Sequence, residues 1–163
     1  MKIIDGGVTA AKGFKAAGMH AGIKKGTKKD MAMIVSSAPC MAAGTFTTNL
    51  VKAAPVKWDQ HIVYDAPTAQ AIVCNSGVAN ACTGEEGYGY CKETAKIAAE
   101  SLQIPEDSVL VASTGVIGKQ LPMDLLGAGI KNLVPLLSHT REAGKLAAQS
   151  IMTTDTVSKE VAV

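Results

Sequence analysis

Residues 109–124, VLVASTGVIGKQLPMD, open as an apolar strand, pass through small residues and end at a helix start. The strand begins as DSVLVA at Asp107–Ala112, a short apolar run of strand length. Past Pro122, the residues Met123, Leu126, Ile130 and Leu133 recur at three- and four-residue spacing, the apolar face of a helix. Between strand and helix stand Ser113, Thr114 and Gly115, then Gly118. Four readings fit this joint: a nucleophile, a phosphate cradle, an anion hole or a plain tight turn. Successive N–H groups in a turn form an anion-binding concavity. Gly115 lets backbone approach a ligand closely, and the Thr114 hydroxyl adds a donor.

Working outward, AQAIVCN (69–75) predicts a strand buried on both faces. Thr83 and Glu86 have capping-box spacing, and Cys91, Ala95, Ala98 and Leu102 then mark an amphipathic helix. Two strands with a helix between them, followed by another helix, predict an α/β layered domain. DMAMIVSS (30–37) and AAGTFTTN (42–49) predict a hairpin across a Pro-containing turn, and HIVY (61–64) a further strand. Pro135 ends or kinks the second helix. Ala143, Leu146, Ala147, Ser150 and Ile151 predict a third helix, and KEVAV (159–163) a closing strand. The whole of 1–163 reads as a single α/β domain. An apolar strand at the end wants a neighbour, so a fragment or one subunit of a larger assembly is expected.

The composition suits a packed domain, with 47% hydrophobic and 18% charged residues among 163. A net charge of +2 argues against a nucleic-acid partner. Residues 1–30 nevertheless carry seven lysines against Asp5 and Asp30. That cluster could attract an anionic substrate, although KKGTKK reads more simply as a solvated turn. No apolar run approaches the ~20 residues of a membrane span, and no secretory signal is seen, which predicts a cytoplasmic protein. Cys40, Cys74, Cys82 and Cys91 have no CxxC spacing and the three histidines no HExxH, so no metal is expected. The thiols read as buried and reduced.

Two more stretches could hold chemistry. CNSGVANACTGEEG (74–87) offers Asn75, Ser76, Asn80 and Thr83 either to a pocket or to their own loop. IMTTDT (151–156) places Thr153 and Thr154 at a helix end, with Asp155 as a cap or turn residue. Neither glycine-rich stretch is a dinucleotide fingerprint, and no Walker sequence occurs.

Taken together, GGVTAAKGFKAAGMHAGIKK, AAGTFTTNLVKAAPV, VCNSGVANACTG, LVASTGVIGKQLPMD and IMTTDTVSKE resemble the ornithine acetyltransferase family, the bifunctional glutamate N-acetyltransferases of arginine biosynthesis. The blocks follow the family's order over essentially the whole chain. The resemblance implies a layered α/β sandwich like the N-terminal-nucleophile architecture, completed by a second chain. It implies a precursor that cleaves itself, with an α chain to which 1–163 contributes most of the length. The β chain then begins with the threonine nucleophile, absent from these residues, and α2β2 is the implied assembly. The reaction implied is acetyl transfer from N-acetylornithine to glutamate, without bound cofactor, with acetyl-CoA as a possible co-substrate. Thr114 and Gly115 inherit the oxyanion hole, and Thr153 substrate binding, with Thr154 as the alternative. Val78 stands where the family block has asparagine, and Ser158 where it has proline. Two rival readings are a non-catalytic α/β binding module and an aminopeptidase with an N-terminal threonine.

Overall fold

The computed structural model describes residues 1–65 and 68–163. Four strands form one sheet: β1 (Phe14–Met19), β2 (Met31–Met41), β3 (Thr68–Val78) and β4 (Val109–Val116), side by side in chain order. β1 and β3 each run antiparallel to β2, while β3 and β4 run parallel. A parallel pair needs a crossover, and the helix α2 (Gly84–Leu102) supplies it. The other helices are α1 (Ala54–Asp65), α3 (Met123–Leu133) and α4 (Arg141–Ser150).

The pleat sends alternate side chains to two layers. Met31, Met33, Ala71, Val73, Val109 and Val111 pack with Trp58, Ile62, Cys91, Ala95, Ala98, Leu126, Ile130 and Leu133 in the main core. The opposite face holds Ala16 and Ala32 against Ala147 of α4, with Ile34 and Cys74 partly buried beside them. The expected α/β class, the strand at 69–75 and the three periodic helices are present; the strand expected at 107–112 starts at Val109, since Asp107 and Ser108 lie in a 3-10 turn. Leu133 ends α3, and a single 3-10 turn carries Pro135.

Four local expectations are corrected. HIVY lies inside α1, whose Ala54, Trp58 and Ile62 are buried one turn apart. The 30–37/42–49 hairpin does not form, because β2 continues through Pro39 to Met41 and pairs with β1 and β3. Its register breaks between Val35 and Cys40, and a bulge is where a strand tolerates proline. KEVAV is not a strand; Ala162 alone bridges, accepting the Ile4 N–H at 3.0 Å. The capping box is not made either. The Thr83 hydroxyl donates to Asn80 Oδ1 at 2.8 Å, and Glu86 accepts from Tyr90 and Gln120.

Of the four thiols only Cys91 is fully buried, and Cys82 is exposed, at variance with the uniformly buried expectation. No helix of the described residues is long and apolar enough to cross a membrane.

Candidate functional site

The parallel strands β3 and β4 end at the same side of the sheet, where the β1–β2 turn also lies. Thr114 and Gly115 belong to β4 itself, paired with Ser76 and Gly77, rather than to the free turn read from the sequence. The register slips there, Val78 partnering both Thr114 and Val116. Gly115 adopts a φ of +132°, and a Cβ on it would lie 2.3 Å from the Gly77 carbonyl carbon. Both the backbone angle and the contact require glycine. Thr114 is exposed.

The edge of β4 away from β3 is held by α1. Trp58 Nε1 donates to the Val109 carbonyl, and the Val111 N–H donates to Asp59 Oδ1, each at 2.9 Å. Burial pushes the Asp59 carboxyl up to about 6, against the opposing pull of the Val111 N–H. On the other edge, the Val116 carbonyl accepts the Ala79 N–H at 2.9 Å.

Thr114's register partner, Ser76, connects this corner to α4. Its buried Oγ donates to the Ser150 carbonyl at 2.5 Å. Two residues on, the Met152 carbonyl accepts from Lys24 Nζ at 2.5 Å, and Lys24 also donates to the Lys29 carbonyl at 3.1 Å. A helix leaves its last carbonyls without intrahelical partners, and a cation near that end suits the dipole. The chain leaving α4 thus brings Thr153 next to the carbonyl that Lys24 holds; Thr114 and Gly115 of β4 are not among the residues lining the cavity there. Thr153 is exposed and lines a cavity of about 420 Å³ with Lys24, Thr27, Lys28, Gln149 and Asp155. Its N–H donates to Asp155 Oδ2 at 3.4 Å. The Lys159 ammonium beside Asp155 holds that carboxyl below its ordinary range. Thr154 is exposed as well.

The 74–87 stretch turns its polar groups inward. Asn75 donates to the Val78 carbonyl and accepts from Ser113 Oγ, at 2.9 and 2.6 Å. Asn80, buried with a φ of +48°, donates to the Gly87 carbonyl at 2.9 Å. Val78 is 1% exposed and part of the main core, so the apolar replacement is accommodated by packing.

Two residues of this corner escape sequence reasoning. Asp30 is wholly buried and accepts from the Ala21 and Lys24 N–H groups at 2.6 and 2.8 Å, while its own carbonyl accepts the Ser76 N–H at 2.8 Å. Lys24 lies in the run read as a solvated turn; Lys25 and Lys28 are indeed exposed, but Lys24 is half-buried. Burial lowers its amine below the ordinary lysine value, with Asp30 opposing and Lys28 reinforcing the shift. The available signal was an aspartate directly abutting a wholly apolar strand start.

Comparison with known proteins agrees with this architecture. The family model described as the ArgJ family matches residues 15–163. The arginine biosynthesis bifunctional protein ArgJ of Caldanaerobacter subterraneus is 52% identical over 163 residues, covering 100% of this chain and 40% of that protein. Its namesake from Synechococcus sp. is 47% identical over 159 residues, 98% of this chain and 38% of the relative. The Zea mays protein, named as chloroplastic, is 43% identical, covering 99% and 35% respectively. The chain therefore spans about two fifths or less of the length of these curated relatives.

Among solved structures, the arginine biosynthesis bifunctional protein of Bacillus halodurans superposes with a TM-score of 0.91 at 42% identity, covering 96% of this chain and 81% of that one. The ornithine acetyltransferase of Mycobacterium tuberculosis, solved in complex with ornithine, gives 0.93 at 42% identity, covering 98% and 86%. With the match running from the second residue of β1 to the last residue, the chain belongs to the ArgJ family.

Proposed function

We propose that this chain supplies half of an acetyltransferase active site, moving acetyl from N-acetylornithine to glutamate. Thr114 and Gly115 form the oxyanion hole and Thr153 contacts substrate. The nucleophile is the N-terminal threonine of a second polypeptide from the same precursor, the two assembling as α2β2. The observation that carries this reading is the likeness, at a TM-score of 0.93, to an ornithine acetyltransferase holding ornithine. The division into two chains is supported by lengths. The matched residues make up four fifths or more of the solved chains but two fifths or less of the curated relatives.

The geometry suits the chemistry. Residues alternate along a strand in the edge to which they turn their N–H groups. Val109 and Val111 turn away from β3, and Gly115 shares their parity. Its N–H therefore belongs on the edge beyond the reach of α1's clamp, where a partner's acetyl group can be received. The exposed Thr114 hydroxyl is the second donor.

In the reaction, the threonine Oγ bonds to the acetyl carbonyl carbon while its own α-amine takes the hydroxyl proton. The carbonyl oxygen becomes negative and is held by the Gly115 N–H and the Thr114 hydroxyl. The C–N bond breaks, and ornithine leaves with the proton on its amine. Glutamate's amine then attacks the acetyl ester, and N-acetylglutamate departs as the threonine regains its proton. Acetyl-CoA enters at the first step in members that accept it. We place the reaction in the cytoplasm.

The test is Thr114→Ala in the complete two-chain enzyme. A fall in kcat on the order of 10²-fold with KM held is expected. Unchanged turnover would remove Thr114 from the mechanism.

A further inference from the structure

Lys24 stands outside the residues considered so far for chemistry, yet its contacts run from Asp30 and Gly77 to the end of α4. Its backbone N–H is fixed by the buried Asp30 carboxylate, whose own carbonyl holds Ser76 of β3. Its stem lies over Gly77: a Cβ there would stand 3.2 Å from Lys24 Cγ. Gly77 is in turn the residue whose carbonyl Gly115 approaches too closely to bear a side chain. Its ammonium ends on the Met152 carbonyl, immediately before Thr153.

We propose that Lys24 is a positioning residue for substrate binding, a strut that sets Thr153 against the Thr114–Gly115 end of β4. This rests on the acetyltransferase reading above and adds a residue to it. The strut works because its two ends differ in stiffness. The stem end is anchored through Asp30 into paired strands, whereas 151–156 has no ladder of its own and is held by one backbone bond, from the Met152 N–H to the Gln149 carbonyl, and by side-chain contacts. The second clamp, Ser76 on Ser150, fixes the end of α4 but stops short of Thr153. Asp155, which accepts the Thr153 N–H, belongs to the same exposed segment, so the ammonium on Met152 is the tie that joins Thr153 to the sheet side. A bare helix-capping lysine would need neither the seat over Gly77 nor a backbone N–H held by a buried carboxylate.

The experiment compares Lys24→Met and Lys24→Arg in the complete enzyme, with Thr114→Ala alongside. Lys24→Met keeps the stem and removes the donors. A KM for N-acetylornithine raised roughly tenfold, with kcat within about threefold, is expected, since a misplaced binding group costs ground state and transition state alike. Amide hydrogen exchange over 151–157 should quicken in the same variant, and Lys24→Arg should restore both readings in large part. Wild-type KM and exchange in Lys24→Met would overturn the proposal, as would a fall in kcat at unchanged KM, the mark of fewer folded molecules. Should Lys24→Met fail to fold, Lys24→Gln carries the same readings. The two layers separate cleanly: an inert Thr114→Ala sinks the oxyanion reading, whereas an effective Thr114→Ala beside an inert Lys24→Met sinks the strut alone.

Discussion

Ser76 and Ser150, 74 residues apart in sequence, are joined by a buried hydrogen bond from hydroxyl to carbonyl at 2.5 Å. It couples the end of β3 to the last turn of α4. Ser76→Ala should leave that buried carbonyl short of a donor and cost about 1–2 kcal/mol. Thermal unfolding should register a loss of roughly 2–8 °C. A Tm unchanged within a degree would mean that α4 is held by its apolar face alone.

Gly115→Ala tests whether the end of β4 has any slack. The new methyl would meet the Gly77 carbonyl at sub-van der Waals distance, on a φ that L-residues avoid. Destabilisation of about 1–3 kcal/mol is expected from the backbone conformation alone. In the complete enzyme, kcat should fall more than for Thr114→Ala, since the β4 backbone itself must move. Equal melting temperatures for wild type and variant would contradict the geometry.

Thr153 and Thr154 can be told apart kinetically. Thr153 shares its cavity with Lys24 and Asp155. Thr153→Ala should raise KM for N-acetylornithine by about 10-fold, the size of one lost hydrogen bond to a charged group, with Thr154→Ala near wild type. The reverse ranking would move substrate binding to Thr154.

Asp59 gives a pH signature. Its folded-state carboxyl titrates near 6, above the ordinary value of 3.8, so folding favours its protonated form. That contribution is complete below about pH 4 and is lost as pH rises through about 6. Asp59→Asn keeps an acceptor for the Val111 N–H and removes the buried charge. The variant should gain about 1 kcal/mol at pH 7, discounted for partial exposure, or roughly 2–4 °C in Tm. At pH 4 the gain should vanish. A gain independent of pH would point to packing instead of charge.

Much of this architecture was legible because strong periodicity and burial coincide. The buried sets Cys91–Ala95–Ala98 and Leu126–Ile130–Leu133 announce α2 and α3, and the apolar runs of β3 and β4 bracket a crossover. The failures have physical causes. HIVY has strand-like residues, but Trp58 and Ile62 lie one turn apart against the core, and tertiary packing overrides a weak local preference. FKAAGM carries little strand signal because its buried residues are two alanines and a glycine. Pro39 reads as a turn until the bulge that absorbs it is seen. At the candidate site, Thr114, Gly115 and Thr153 are singled out by the resemblance of their blocks to a family, a reading of sequence alone, whereas the Lys24 contact with Met152 spans 128 residues and shows only in the fold.

Trp58 and Asp59 occupy the outer edge of β4, and Ser138 exchanges both backbone hydrogen bonds with Ala16 on the outer edge of β1. The outward backbone groups of Val109, Val111 and Ala16 are thereby taken, at edge positions where another strand would otherwise zip on. A neighbouring molecule that meets these two stretches is therefore recognised through shape and side chains instead of through backbone pairing.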